Sequence, residues 1–218
     1  RADALIEAKE FEQARVTFWY IAKKWPNTKA AEIANYRGGE NCVLDVRKVH
    51  DTGPSENRID VHIMADSFGY TNADQRTWLT VSKGFSIKLT DWGMFREYKN
   101  YFNCWRVSLA SKEKGTSTET KKFDTALGGS TSDAGGGYWL DDTKAAAVAA
   151  KIPSNDGVWL VLIRMGGGVD SGGGSRQASA VMWSGGGTLI HEFGHSFGGL
   201  MDEYTSEPGG MPNGFRRP

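Results

Sequence analysis

Segment 188–204 of the chain reads TLIHEFGHSFGGLMDEY and sets His191, Glu192 and His195 in the order His-Glu-x-x-His. On an α-helix, residues four apart stack on one face, so the two imidazoles can share one Zn²⁺ at roughly 2.0–2.1 Å. Glu192 lies one residue on, beside the metal and out of line with the ligands. A carboxylate there can take a proton from a zinc-activated water. Ile190, Phe193 and Phe197 fall on the other side of the same helix and are expected to anchor it in the core. Gly198-Gly199 can end the helix and turn the chain back. Asp202, Glu203 and Tyr204 follow at once. A catalytic zinc takes at least one more protein ligand and keeps a position open for water. Asp202 is the favoured third ligand and Glu203 its competitor; whichever does not bind can orient an imidazole. Tyr204 can donate to an oxyanion or simply pack beside the helix end.

These residues need a scaffold. Leu5, Ala8, Phe11, Ala14, Phe18, Ile21, Ala22 and Trp25 recur at helical spacing over residues 2–36. Pro26 breaks the run, Asn27 or Thr28 can cap a second helix, and Gly38-Gly39 ends it. Strands are expected at 42–50 and 58–65, a helix at 72–89 with Trp78, Val81 and Phe85 on one face, and a strand at 102–109. Residues 111–137 are polar and rich in Gly, Ser and Thr, which reads as loop. An Ala-rich helix at 141–151 precedes the apolar run VWLVLIRM (158–165), which suits a buried central strand. SRQASAVMW (175–183) reads as a short strand, either an edge onto which an extended substrate could pair or an internal one. The glycines 166–168, 172–174 and 185–187 around it suggest sharp turns. Asp66, at a strand end, either lines the site or caps the next element. His50 and His62 sit in strands and are not assigned to the metal. The order predicts an α/β (α+β) domain with a twisted mixed sheet, residues 40–218, after a helical hairpin, residues 1–39.

Composition removes other classes. The 218 residues carry 26 Lys+Arg against 26 Asp+Glu, and zero net charge with no basic cluster argues against phosphate-driven binding of nucleic acid. No apolar run reaches the roughly 20 residues that span a bilayer. Two cysteines, Cys42 and Cys104, exclude a disulfide scaffold and a thiolate zinc cluster, though they could pair with each other. No Gly-x-x-x-x-Gly-Lys-Ser/Thr occurs, so the glycines do not form a phosphate loop. Beginning at Arg1 and ending at Pro218 soon after the motif, the sequence reads as a fragment or processed piece, truncated at its C-terminus.

HEFGHSFGGLMDEY resembles the IgA-peptidase-type zinc metallopeptidase family, as do ADSFGYT (65–71), MFREYKNYFNCWRVSLASKEKGT (94–116) and DTALGG (124–129). The resemblance covers roughly residues 57–205. It implies a zincin, metzincin-like fold with an active-site helix, zinc ligands at His191, His195 and Asp202, a general base at Glu192, and a protein or peptide substrate. It also implies a bacterial protein that is secreted or held in the cell envelope. Where the family has Tyr-Gly-Gly after the central strand, this chain has Met165-Gly166-Gly167, so an aromatic role there is not carried over. A Met-turn is implied beyond the motif, but Met211 is given no role. Residues 7–34 also resemble a tetratricopeptide-type hairpin over about one repeat. Two other functions fit the same residues: a non-catalytic binding or adhesion module on this fold, and amide hydrolysis of cell-wall peptides. Glu192 argues against the first, because binding alone has no use for a carboxylate beside the metal.

Overall fold

The N-terminal apolar stripe folds as three helices: α1 (Ala2–Glu7), α2 (Phe11–Lys24) and α3 (Lys29–Gly38). Residues 2–39, 41–91, 95–134, 136–164, 172–174, 177–182 and 186–202 are described by this computed structural model. The break between α1 and α2 interrupts the continuous run that periodicity predicts. Lys9 takes φ 62° there. Its N–H reaches Ile6 O at 3.0 Å and that of Glu10 reaches Leu5 O at 2.8 Å, the paired bonds of a Schellman cap. A left-handed non-glycine costs about 1–2 kcal/mol, and the closed cap offsets it. Thr28 caps α3, its hydroxyl accepting the Ala31 N–H at 3.2 Å. At Gly38 a Cβ would lie 2.5 Å from the Phe18 Cβ, so glycine lets α2 and α3 close on each other.

The remaining elements are β1 (Cys42–His50), β2 (Ile59–Asp66), α4 (Asn72–Asp91), α5 (Phe95–Tyr98), β3 (Phe102–Ala110), α6 (Asp142–Ala149), β4 (Val158–Ile163), β5 (Gly172–Gly174), β6 (Gln177–Val181) and α7 (Gly186–Gly198). Among the described residues they build one mixed sheet in the order β1-β3-β2-β4-β6-β5. The four inner strands run parallel, and β1 and β5 are antiparallel edges. This is the α/β (α+β) class expected. In β4, Leu160, Val161, Leu162 and Ile163 are all fully buried, as a strand covered on both faces must be. Trp78, Phe85 and Leu89 of α4 share that core, with Val81 packed against it.

One expectation about the sheet changes. Gly172–Gly174 was read as a turn, yet its backbone pairs with Gln177–Ser179 as β5. Over those residues β6 is therefore an internal strand. Cys42 and Cys104 stay apart as buried thiols, and burial pushes each up to about 12. No helix among the described residues is long and apolar enough to cross a membrane. Met165, Gly166–Gly168, Glu203, Tyr204 and Met211 lie outside the described residues.

Asp66 neither lines an open site nor caps α4; Thr71 does the capping, accepting the Asp74 N–H at 3.1 Å. Fully buried at the end of β2, Asp66 accepts from Thr125 Oγ1 (3.1 Å), Leu127 N (3.1 Å), Gly129 N (3.2 Å) and the Tyr138 hydroxyl. It is the post that pins the 125–129 turn, and a Cβ at Gly129 would collide with Tyr138. Burial raises the Asp66 carboxyl, with hydrogen bonds from Tyr138, Leu127, Thr125 and the Ser67 backbone pulling the other way. Asp66→Ala is expected to cost about 3 kcal/mol or more in urea unfolding, because several buried donors lose their acceptor. A raised folded pKa means that stability from this group is full below about pH 4 and declines as pH rises through the folded value. Asp66→Asn, which cannot ionise, is expected to lose that decline in unfolding measured from pH 4 to 7.

Candidate metal centre

Helix α7 is fixed in place by aromatic packing. Phe193 is fully buried, with ring centroids 4.9 Å from Phe95 and 6.3 Å from Phe102. Phe197 stacks on Phe193 at 5.1 Å but keeps an exposed edge. Leu189 is buried and Ile190 only partly so. The anchor is thus Leu189 and Phe193, with Ile190 and Phe197 at its margin.

The opposite face carries His191 and His195, one turn apart. Their Nε2 atoms lie 3.0 Å from each other. Asp202 Oδ1 lies 3.1 Å from each of those nitrogens. The three atoms form a nearly equilateral triangle. Donors around zinc at 2.0–2.1 Å in a tetrahedron are about 3.3 Å apart, so this triangle is one face of such a site, drawn slightly tight. The donor chemistry agrees. His195 Nδ1 contacts the Leu200 carbonyl at 2.6 Å; that contact requires the proton on Nδ1 and leaves a lone pair on Nε2. Asp202 Oδ1 is buried with no hydrogen-bond partner among the described residues. An orphaned carboxylate oxygen facing imidazole nitrogens fits a cation.

The turn after α7 makes the triangle possible. Gly199, at φ 62°, donates its N–H to His195 O at 3.1 Å, and Leu200 N–H reaches Gly194 O at 3.2 Å. This one reversal aims the Leu200 carbonyl at His195 and returns the chain so that Asp202 meets both histidines. The Leu200 carbonyl was not anticipated, since a backbone oxygen has no side-chain signature in sequence.

Glu192 follows His191 on α7 and is half-buried. Burial raises its carboxyl, both imidazoles oppose that, and Asp202 adds to it. The Leu200 carbonyl raises His195, burial opposes this, and Asp202 and Glu192 add to the rise. His191, His195 and Asp202 form the group of metal-competent side chains found among the described residues. His50 is elsewhere, bonded through Nε2 to Lys99 O at 3.1 Å. His62 is buried against Trp105, with ring centroids 6.2 Å apart.

A family model described as IgA Peptidase M64 matches residues 47–213. The chain belongs to this family. The match runs from within β1 through α7 and past Asp202, and it leaves α1–α3 outside. No curated protein matches the chain. Membership of the IgA peptidase family makes the chain a peptidase, a hydrolase whose substrates are proteins or peptides.

Gly199→Ala is expected to cost about 1–2 kcal/mol in urea unfolding, because alanine must adopt the left-handed conformation. Gly198→Ala, at a position without positive φ, is expected to cost less in the same assay.

Proposed function

We propose that this peptidase is zinc-dependent, with the metal held by His191, His195 and Asp202 and Glu192 acting as general base. The observation that carries the reading is the triangle of electron-pair donors, 3.0–3.1 Å on each side, whose carboxylate oxygen has no hydrogen-bond partner among the described residues. Bound there, zinc supplies Lewis acidity toward water and a peptide carbonyl. Glu192 is next to His191 in the chain, so its carboxylate belongs to the same helical turn as the reacting centre. It accepts the proton of the attacking water and returns it to the departing amine. Its raised pKa moves it toward the range in which one carboxyl serves as base and then as acid. The Leu200 carbonyl holds His195 in one tautomer, which keeps Nε2 turned to the metal.

Immunoglobulin A, from which the family takes its name, is the first protein substrate to test, beside casein as a general one. A secreted or cell-envelope location is part of the same proposal. Purified protein is expected to carry one zinc per chain, to lose cleavage on chelation and to regain it with zinc. Glu192→Gln is expected to keep the zinc and lose activity about 100-fold or more. Asp202→Ala is expected to lower zinc affinity at least tenfold. If Glu192→Gln cleaves as fast as wild type, the base is elsewhere. If both proteins bind zinc and neither cleaves either substrate, the binding-module reading gains.

A further inference from the structure

A concavity of about 730 Å³ lies between α1, α4 and the β1–β3 edge of the sheet. It shares no residue with the metal centre, and its volume falls within the range of ligand sites. Its wall carries five cations: Lys9, Arg47, Arg76, Lys83 and Arg106. Only two carboxylates, Glu7 and Asp45, line it beside them, and Arg76 is held by Glu10 at 3.5 Å, which leaves an excess of two positive charges. Arg47 is paired with Glu7 and with Asp45 at 2.6 Å, so both carboxylates are already engaged. Arg106 reaches Asp45 only at 3.5 Å, and its Nε is buried without a hydrogen-bond partner among the described residues. Burial outweighs Asp45 and lowers the Arg106 guanidinium. The ammonium groups of Lys9 and Lys83 have no acidic partner among the described residues. A wall of under-compensated cations is complementary to an anion.

The floor narrows the ligand further. Helix α4 contributes Arg76, Leu79, Thr80, Lys83, Gly84 and Ile87 as one continuous stripe. It is about 16 Å long at 1.5 Å per residue, which matches an extended segment of about five residues. Cationic and apolar positions alternate along it, and Ile87 is exposed. Gly84 stands mid-helix, where glycine is unfavourable. A Cβ added there would meet nothing within 4 Å. Packing within the chain therefore does not require glycine at this position, whereas the close approach of another backbone would.

We propose that this groove binds an acidic peptide segment, laid along α4 with its backbone over Gly84, carboxylates on Lys83 and Arg106, and an aliphatic side chain against Leu79 and Ile87. An extended strand presents alternate side chains to such a surface, charged and apolar in turn. The site is independent of the zinc reading, and binding is measured without reference to cleavage.

The test is fluorescence anisotropy on the full chain with a labelled octapeptide of alternating glutamate and leucine, beside its lysine–leucine counterpart and inorganic phosphate as competitor. The acidic peptide is expected to bind at least tenfold tighter than the basic one and to weaken as salt rises. Lys83→Glu is expected to weaken it at least tenfold. Gly84→Leu is expected to weaken it as much while leaving Tm unchanged or raised, which separates blockage of the groove from misfolding. Equal binding of the two peptides, or an affinity unmoved by Lys83→Glu and Gly84→Leu, overturns the proposal. Displacement by millimolar phosphate as complete as by unlabelled peptide also overturns it, leaving a simple anion site.

Discussion

Three electron-pair donors held within 3.1 Å of one another are the constraint on which the rest of the structure turns. Two imidazole nitrogens and a carboxylate oxygen are not natural neighbours. With the His195 proton on Nδ1, toward the Leu200 carbonyl, its Nε2 brings only a lone pair to the meeting point. Desolvating the Asp202 oxygen without a donor is unfavourable in itself. A protein keeps such an arrangement where a cation repays it, and it must supply rigid support on every side.

That support comes from apolar packing more than from polar contacts. Phe193 lies against Phe95 and Phe102, so α7 is locked against the start of β3 and the short helix before it. The buried parallel strands carry α7 as a stiff layer, and the Gly199 reversal is a single well-defined cap. Histidine spacing is thereby set by helix geometry, and the third donor by one backbone turn. Neither depends on a long, mobile loop.

Much of this was legible in the sequence because it is written in side-chain type and period. The continuous apolar run at 158–163, the helical stripe of Trp78, Val81 and Phe85, and the pairing of His191 with His195 all fall into this class, and element boundaries came within two residues for most of the sheet domain. Features made by backbone or by distant segments were not legible. Lys9 ends α1 without the glycine that usually marks such a cap. A strand made only of glycines, Gly172–Gly174, has no side-chain alternation to read. Asp66 looked like a cap because its four partners lie 59 or more positions away. The cationic groove draws on α1, α4, β1 and β3, and no local window contains it.

The N-terminal helices bury Ile6, Phe11, Ala14 and Phe18 in one cluster with Cys42, Leu44, Tyr70 and Ala110. Family likeness begins at residue 47, inside β1, whereas this oily seam lies partly before it and partly far beyond it. The limit of the family match and the limit of the packed core therefore fall at different places. A catalytic core trimmed to the matched segment would lose part of its first strand and lay bare the wall that the helices cover. Its solubility would suffer before its chemistry did.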